Sequence, residues 1–227
     1  MRNKVYPSAD AAVADIRPEA RIFFGGFGGA GFPNNLIQAL DRQGADGLTV
    51  ITNNCGSADG ELGILFKHDR IRNVIASFPG PHASHFQQRY AEGKIRLELV
   101  PQGILCERMR AAGAGIYGFY SAVGAGTLVA EGREERTFAG RRTVFYEPLA
   151  APYALIKAWK ADELGNLVYR KTARNFNPLM AVAAETTIVE VDEIVPVGAL
   201  DAESIVTPFV FVHRIVKVKG IHNVVRA

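Results

Sequence analysis

The stretch RIFFGGFGGAGFPNNLI (21–37) sets Gly25, Gly26, Gly28, Gly29 and Gly31 between an apolar run and a proline. Glycines in a strand-to-helix turn let backbone amides approach a ligand closely, and such amides favour negative charge. Gly26, Gly28 and Gly31 also spell G-x-G-x-x-G, the spacing of a dinucleotide loop. That site needs an acid near the end of the next strand to bind a ribose hydroxyl. Here the next apolar run ends in Thr52-Asn53-Asn54, with no Asp or Glu from Gly47 to Ala58, and Pro33 departs from the fingerprint. No nicotinamide or flavin is expected. A ligand-free tight turn and an anion-holding loop both stay open on these residues alone.

Asn53, Asn54 and Gln102 fall at the ends of apolar runs that read as parallel strands, where open α/β sheets place ligands. Their amides can hold a keto or carboxylate oxygen without being acylated. Helix capping accounts equally well for Asn54 or Gln102 taken singly. Cys55 has no histidine or cation beside it in sequence to lower its pKa, and it reads as inert packing. His82 and His85 lack neighbouring ligands and read as a solvated helix start, so no metal is expected. Glu61 is explained by the dipole of a helix beginning near it. The charge run EGREERTFAGRR (131–142) reads as an exposed hairpin, and Trp159 as core.

The elements that must position these groups follow from periodicity and turn signals. Ser8 caps a short helix over 9–16, and 22–26 is a buried strand. Pro33 opens a helix to about Arg42. Strands at 48–52, 73–77 and 96–100 then alternate with helices at 60–69, 82–93 and 104–113. Residues 113–126 are too glycine-rich for an element interior and read as a long loop. Beyond it TVFYE, YALIKAWKA, NLVYRK, TTIVEV and PFVFVHRIVKV read as strands around one helix near 177–184. The fold class is α/β: an open, mostly parallel, doubly wound sheet in the first half, with a mixed β-rich second half. One domain spans 1–227.

Bulk composition agrees. A chain of 227 residues, 48% hydrophobic and 22% charged, buries roughly 70–75% of its unfolded surface without staples. Its net charge of +3 is scattered, which argues against nucleic acid, and two cysteines make no disulfide framework. With no export signal and no apolar run of membrane-spanning length, a cytoplasmic protein without a membrane partner is expected.

The longer string IFFGGFGGAGFP resembles the signature of the A subunit of class I coenzyme A transferases. Ile22, Phe23, Phe24, Gly25, Gly26, Phe27, Gly31 and Pro33 all fall in place. The family's usual Asp/Asn-Gly start is replaced by Pro18-Glu19. TNNCG (52–56), VPQGILCERMRAAGAG (100–115), GTLVAEG (126–132), ALIKAWKADELGNLVYRKTARNFNPLMA (154–181) and TIVEVDEIVPVGALD (187–201) extend the likeness over nearly the whole chain. Similar chains are the A halves of 3-oxoacid and 3-oxoadipate CoA-transferases.

The resemblance implies transfer of CoA from an acyl-CoA, usually succinyl-CoA, to a 3-oxo acid. It proceeds by ping-pong through a glutamyl-CoA thioester. The glutamate sits in a Ser-Glu-Asn-Gly type motif of a B subunit, and this chain has no such string. A heterodimer or heterotetramer with a B subunit follows, with a CoA thioester as substrate and no permanently bound cofactor. In that reading Gly28, Gly29 and Ala30 supply amides to a developing oxyanion. Gly25, Gly26, Phe27 and Gly31 complete the substrate-binding loop, the glycines chiefly through its turn geometry. Asn53, Asn54 and Gln102 hold substrate oxygens, with Asn54 near the counterpart position of the partner's glutamate. Phe119 and Tyr120, in FYSAVGAG where relatives carry a Thr-Pro-rich loop, shape the acyl pocket. A same-fold CoA-ester hydrolase or isomerase, or a non-catalytic acyl-CoA sensor, are the alternatives. A partner carrying Ser-Glu-Asn-Gly favours the transferase.

Overall fold

The computed structural model describes residues 3–218. A two-residue strand, β1 (Val5–Tyr6), precedes α1 (Ala9–Val13), whose first turn is capped by the Ser8 hydroxyl accepting from the Ala11 amide at 3.1 Å. The helix stops at Val13 rather than running to residue 16. Next come β2 (Arg21–Phe24), α2 (Asn34–Gln43), β3 (Leu48–Thr52) and α3 (Gly63–Lys67). They are followed by β4 (Ile71–Ala76), α4 (Ser84–Ala91), β5 (Arg96–Leu99) and α5 (Gln102–Gly113). The alternation read from the sequence is therefore present, with α3 and α4 shorter at both ends than read and α5 beginning two residues earlier.

The glycine-rich stretch 113–126 is not wholly loop, because it contains β6 (Phe119–Ser121). Those three residues carry no glycine, and their aromatic rings pair across to the strand opposite. The charge run does form a hairpin, β7 (Glu135–Phe138) with β8 (Arg141–Tyr146). Tyr120 and Phe145 approach to 5.2 Å between ring centres, and Phe119 and Tyr146 to 5.8 Å. The small sheet has the order β6-β8-β7.

The chain then returns to the main sheet through β9 (Ala151–Asp162), β10 (Leu167–Val168), α6 (Asn177–Ala183), β11 (Ala184–Val195) and β12 (Arg214–Lys217). NLVYRK is strand only at 167–168, and 209–211 within PFVFVHRIVKV form a 3-10 turn behind Pro208. The order across the main sheet is β1-β12-β11-β9-β2-β3-β4-β5, with β10 antiparallel beside β9 and every other pairing parallel.

The order of winding reverses between β2 and β9, which run parallel. From β2 the chain winds outward through β3, β4 and β5, whereas from β9 it winds the other way through β11 and β12. Ligands of open parallel sheets collect outside the carboxyl ends of strands at such a switch. The loop leaving the carboxyl end of β2 is the glycine stretch.

Both faces of the sheet are covered. Ile22, Phe24, Val50 and Val74 pack with Val13, Leu36, Leu40, Leu65 and Phe86 of α1 to α4. Phe23, Ile51 and Ile75 point the other way, into Leu105 and Met109 of α5, Met180 of α6 and Tyr146 of the small sheet. Phe23 and Phe24 are both fully buried, one in each core. Each contributes about 1.5–3 kcal/mol by burial, so the strand that launches the glycine loop is pinned from both sides.

Candidate functional site

Phe27 and Ala30 exchange two backbone hydrogen bonds, each 3.0 Å, and so close a tight turn with Gly28-Gly29 at its tip. Gly28 alone of that pair has positive φ, +59°, the pattern of a type II′ turn. The Ala30 amide is spent inside the turn, so the expectation that it donates to a ligand is corrected. Gly28 and Gly29 line a cleft of about 680 Å³, and Phe27 forms part of its wall.

Gly25, Gly26 and Gly31 lie behind the tip and do not line the cleft. Side chains there would collide with their support: with the Asn177 amide at Gly25, the Phe32 ring at Gly26, and the Ala173 carbonyl at Gly31. Apart from Phe32, the support is the 3-10 turn at 171–174 and the residues following it. Asn175 accepts from the Gly26 amide at 3.2 Å and donates to the Ala30 carbonyl at 3.1 Å. Asn177 donates to the Gly31 carbonyl at 3.1 Å and accepts from the Lys157 amide at 3.0 Å. Phe27 stacks on Phe176, ring centres 6.3 Å apart.

The floor of the cleft is an amide network at the ends of β3, β4 and β5. Gln102 Nε2 donates to Asn53 Oδ1 at 2.7 Å, and Ser77 Oγ donates to the same oxygen at 3.1 Å. Asn53 Nδ2 donates to Asn54 Oδ1 at 3.2 Å, and Asn54 Nδ2 donates to the Gly28 carbonyl at 3.3 Å. Gln102 is the first residue of α5 and its side chain caps nothing there. The capping alternative is thus replaced by a chain of amides that ties three strand ends to the glycine tip. All three amides line the cleft, and Asn53 and Asn54 are buried.

Phe78, Gly80, Pro81 and His82 form the opposite wall, beside Ser57 and Glu61. Glu61 does not begin a helix. Its carboxylate accepts from the Ser57 amide at 2.9 Å and the Ser57 hydroxyl at 2.7 Å, closing a local turn in which Glu61 itself has φ +48°. Among the described residues no lysine or arginine lines the cleft, so it suits a neutral or oxyanionic acyl group better than a phosphate chain.

Phe119 and Tyr120 stand elsewhere, on β6, and neither lines this cleft. Tyr120 donates to Glu134 at 2.6 Å, which raises its phenol pKa, and it packs against Phe138 and Phe145. Trp159 is half-buried rather than core, with Lys160 Nζ 4.7 Å and the Arg170 guanidinium 5.6 Å from its ring centre. His82 and His85 have no ligand set around them: among the described residues no group of three His, Cys, Asp or Glu could hold a metal.

Cys55 is fully buried, and burial pushes its thiol pKa up. A thiol held neutral neither attacks nor alkylates. Iodoacetamide at pH 8 is therefore expected to leave Cys55 unmodified in the native protein, and Cys55→Ala to keep turnover within about threefold of wild type. Labelling of Cys55 before unfolding, read by peptide mass, contradicts this.

Three residues that hold the glycine loop and the start of α2 escaped the sequence reading: Asn175, Asn177 and Glu190. Pro33 offers no side-chain cap to α2, and Glu190 supplies one from β11. Its carboxylate accepts from the amides of Asn35 at 2.8 Å and Leu36 at 3.0 Å, where the helix dipole favours an anion. Burial raises the Glu190 pKa, and Lys157 at 3.7 Å opposes the shift. The available signal was an acid inside the apolar run TTIVEV.

An open parallel sheet with an amide-floored cleft at its strand ends is the α/β architecture in which ligands collect at that edge. The chain belongs to the coenzyme A transferase family, whose model matches residues 6–218. It is 50% identical over 221 residues to the A subunit of 3-oxoadipate CoA-transferase from Pseudomonas putida, covering 97% of this chain and 96% of that one. It is 46% identical over 213 residues to the A subunit of a probable succinyl-CoA:3-ketoacid coenzyme A transferase from Bacillus subtilis, covering 94% and 89%. Among solved structures, an acyl-CoA transferase of Escherichia coli O157:H7, in a thioester complex with CoA, superposes with a TM-score of 0.86. It shares 23% identity, and the match covers 96% of this chain and 47% of that one. Glutaconate coenzyme A-transferase from Acidaminococcus fermentans matches with a TM-score of 0.80 at 19% identity, covering 94% and 75%. Both agree with the fold.

Proposed function

We propose that this chain is the A subunit of a two-subunit enzyme that moves CoA from an acyl-CoA, with succinyl-CoA as donor, to a 3-oxo acid. The observation carrying this reading is a cleft rich in amides and poor in nucleophiles. Among the described residues its one carboxylate, Glu61, is committed to the Ser57 turn. Asn53, Asn54 and Gln102 are bound to one another and to the glycine tip.

The thioester carbonyl is attacked by a glutamate that the B subunit supplies, and a tetrahedral oxyanion forms. The Gly28-Gly29 tip holds that oxyanion, since preorganised backbone amides stabilise developing charge. Collapse expels CoA thiolate and leaves an acyl–glutamyl anhydride. The thiolate then attacks the glutamyl carbonyl, releasing the donor carboxylate and leaving a glutamyl-CoA thioester. The acceptor acid reverses both steps. CoA enters as a thioester substrate, with no permanently bound cofactor. The acyl-CoA pool of the cytoplasm supplies it, and among the described residues no helix is long and apolar enough to cross a membrane. An obligate A/B interface of this kind exceeds about 2,000 Å² and gives a heterodimer or heterotetramer.

Co-expression with the B subunit tests the reading. The pair is expected to transfer CoA, whereas this chain alone is silent with every acyl-CoA. Borohydride reduction during turnover is expected to mark a glutamate of the partner. A mark on any residue between Met1 and Ala227 overturns the division of labour.

A further inference from the structure

We propose that Asn175 is the positioning residue of the glycine tip, clamping both arms of the turn with one side chain. The inference rests on the transferase reading for its kinetic consequence, though not for its geometry. Asn175 Oδ1 accepts from the Gly26 amide at 3.2 Å, on the arm entering the turn. Its Nδ2 donates to the Ala30 carbonyl at 3.1 Å, on the arm leaving it. The same two atoms bind the Phe176 amide at 2.7 Å and the Thr172 carbonyl at 3.0 Å, which fixes the side chain to its own segment. One amide group thus joins the turn at 26–30 to the segment 172–177, with Asn177 Nδ2 also donating to its oxygen at 3.3 Å.

The backbone beneath that side chain is distorted to make this possible. Asn175 has φ +22° and ψ −121°, a conformation that side-chain-bearing residues rarely adopt. Such distortion persists only where the surroundings over-determine it, and it gathers at functional sites. Asn177 seconds the clamp by holding Gly31, and a side chain at Gly31 would approach the Ala173 carbonyl to 2.5 Å, leaving no slack between the two segments. On the cleft side the Gly28 carbonyl is held by Asn54. The tip is therefore gripped front and rear. Asn54 acts from the cleft floor and Asn175 from behind, so the tip is fixed from both sides.

Asn175→Gly separates the clamp from the strain, because glycine tolerates positive φ while removing both bonds to the turn. In the A/B pair this variant is expected to lower kcat about 100-fold, the loss that follows a displacement of about 1 Å at a reacting centre. KM is expected to stay within about threefold. Hydrogen exchange in the peptide spanning 25–31 is expected to quicken at least about tenfold. Asn175→Asp keeps the acceptor for Gly26, loses the donor to Ala30, and is expected to show the same kcat fall. Wild-type turnover in Asn175→Gly overturns the proposal, as does lowered turnover with unchanged exchange across 25–31. If the wild-type pair transfers no CoA, the transferase reading falls instead, and the exchange rates alone decide the clamp.

Discussion

Replacing Gly28 with valine is expected to lower the rate of CoA transfer by two orders of magnitude or more while leaving the fold intact. Gly28 has φ +59°, and a Cβ built there meets nothing within 4 Å. The substitution therefore causes no collision. Its cost is the left-handed backbone, about 1–2 kcal/mol for an L side chain, which the tip escapes by rotating away. Rotation moves the tip amides from the oxyanion position, and one such donor is worth about 2.7–4 kcal/mol of barrier. That energy corresponds to roughly 10²–10³ in kcat. Steady-state kinetics on the pair check it. Wild-type kcat in Gly28→Val removes the tip from the mechanism.

Gly25→Ala is expected to do the opposite, destabilising the protein before chemistry is affected. Gly25 has no positive φ, and the difficulty is space: its Cβ would occupy the position of the Asn177 side-chain carbonyl. Asn177 is fully buried and receives the Lys157 amide at 3.0 Å. Displacing it overpacks the junction, about 1–3 kcal/mol, and leaves a buried amide unpaired, about 1–3 kcal/mol more. At about 2–4 °C per kcal/mol for a chain of this size, the thermal midpoint falls by roughly 5–20 °C. Calorimetry of the isolated variant reads this directly, and an unchanged midpoint contradicts the assigned contact. Two glycines three residues apart thus give opposite phenotypes, one in rate and one in stability.

The glycine loop was legible because its signal is local. A run of apolar residues, glycines and a proline specify strand, turn and helix within 17 residues (21–37), and β3 begins and ends at the residues read from its pattern. Asn53, Asn54 and Gln102 were found by their place at strand ends, a consequence of parallel topology. Ala30 was misassigned because a two-residue turn consumes the amide of its fourth residue, and the length of that turn is set by pairing between 27 and 30. Asn175 and Asn177 were unreadable for a different reason. Their distant partners lie in the loop after β2 and in β9, which the β2–β9 pairing brings side by side. Glu190 was hidden inside a strand pattern, its meaning visible only once the amino end of α2 stood against β11. Trp159 misled because an apolar run implies burial, while at its far end β9 turns cations onto the indole face.

The trans cap on α2 and the amides behind the glycine turn have a bearing on synthesis. Gly26 waits for Asn175 and Asn35 waits for Glu190, each about 150 residues later in the chain. During translation at about 5–20 residues per second, roughly 8–30 seconds separate synthesis of the glycine loop from synthesis of the side chains that hold it from behind. The β2–β3–β4–β5 half can collapse on its own helices in that interval, since its contacts are close in sequence. The rim of the cleft cannot. It is set only when β9 and β11 slot in beside β2, a long-range parallel closure of the slow kind. A nascent chain halted before Asn175 carries every glycine of the loop and Asn54 beneath its tip, but none of the side chains that fix it from behind.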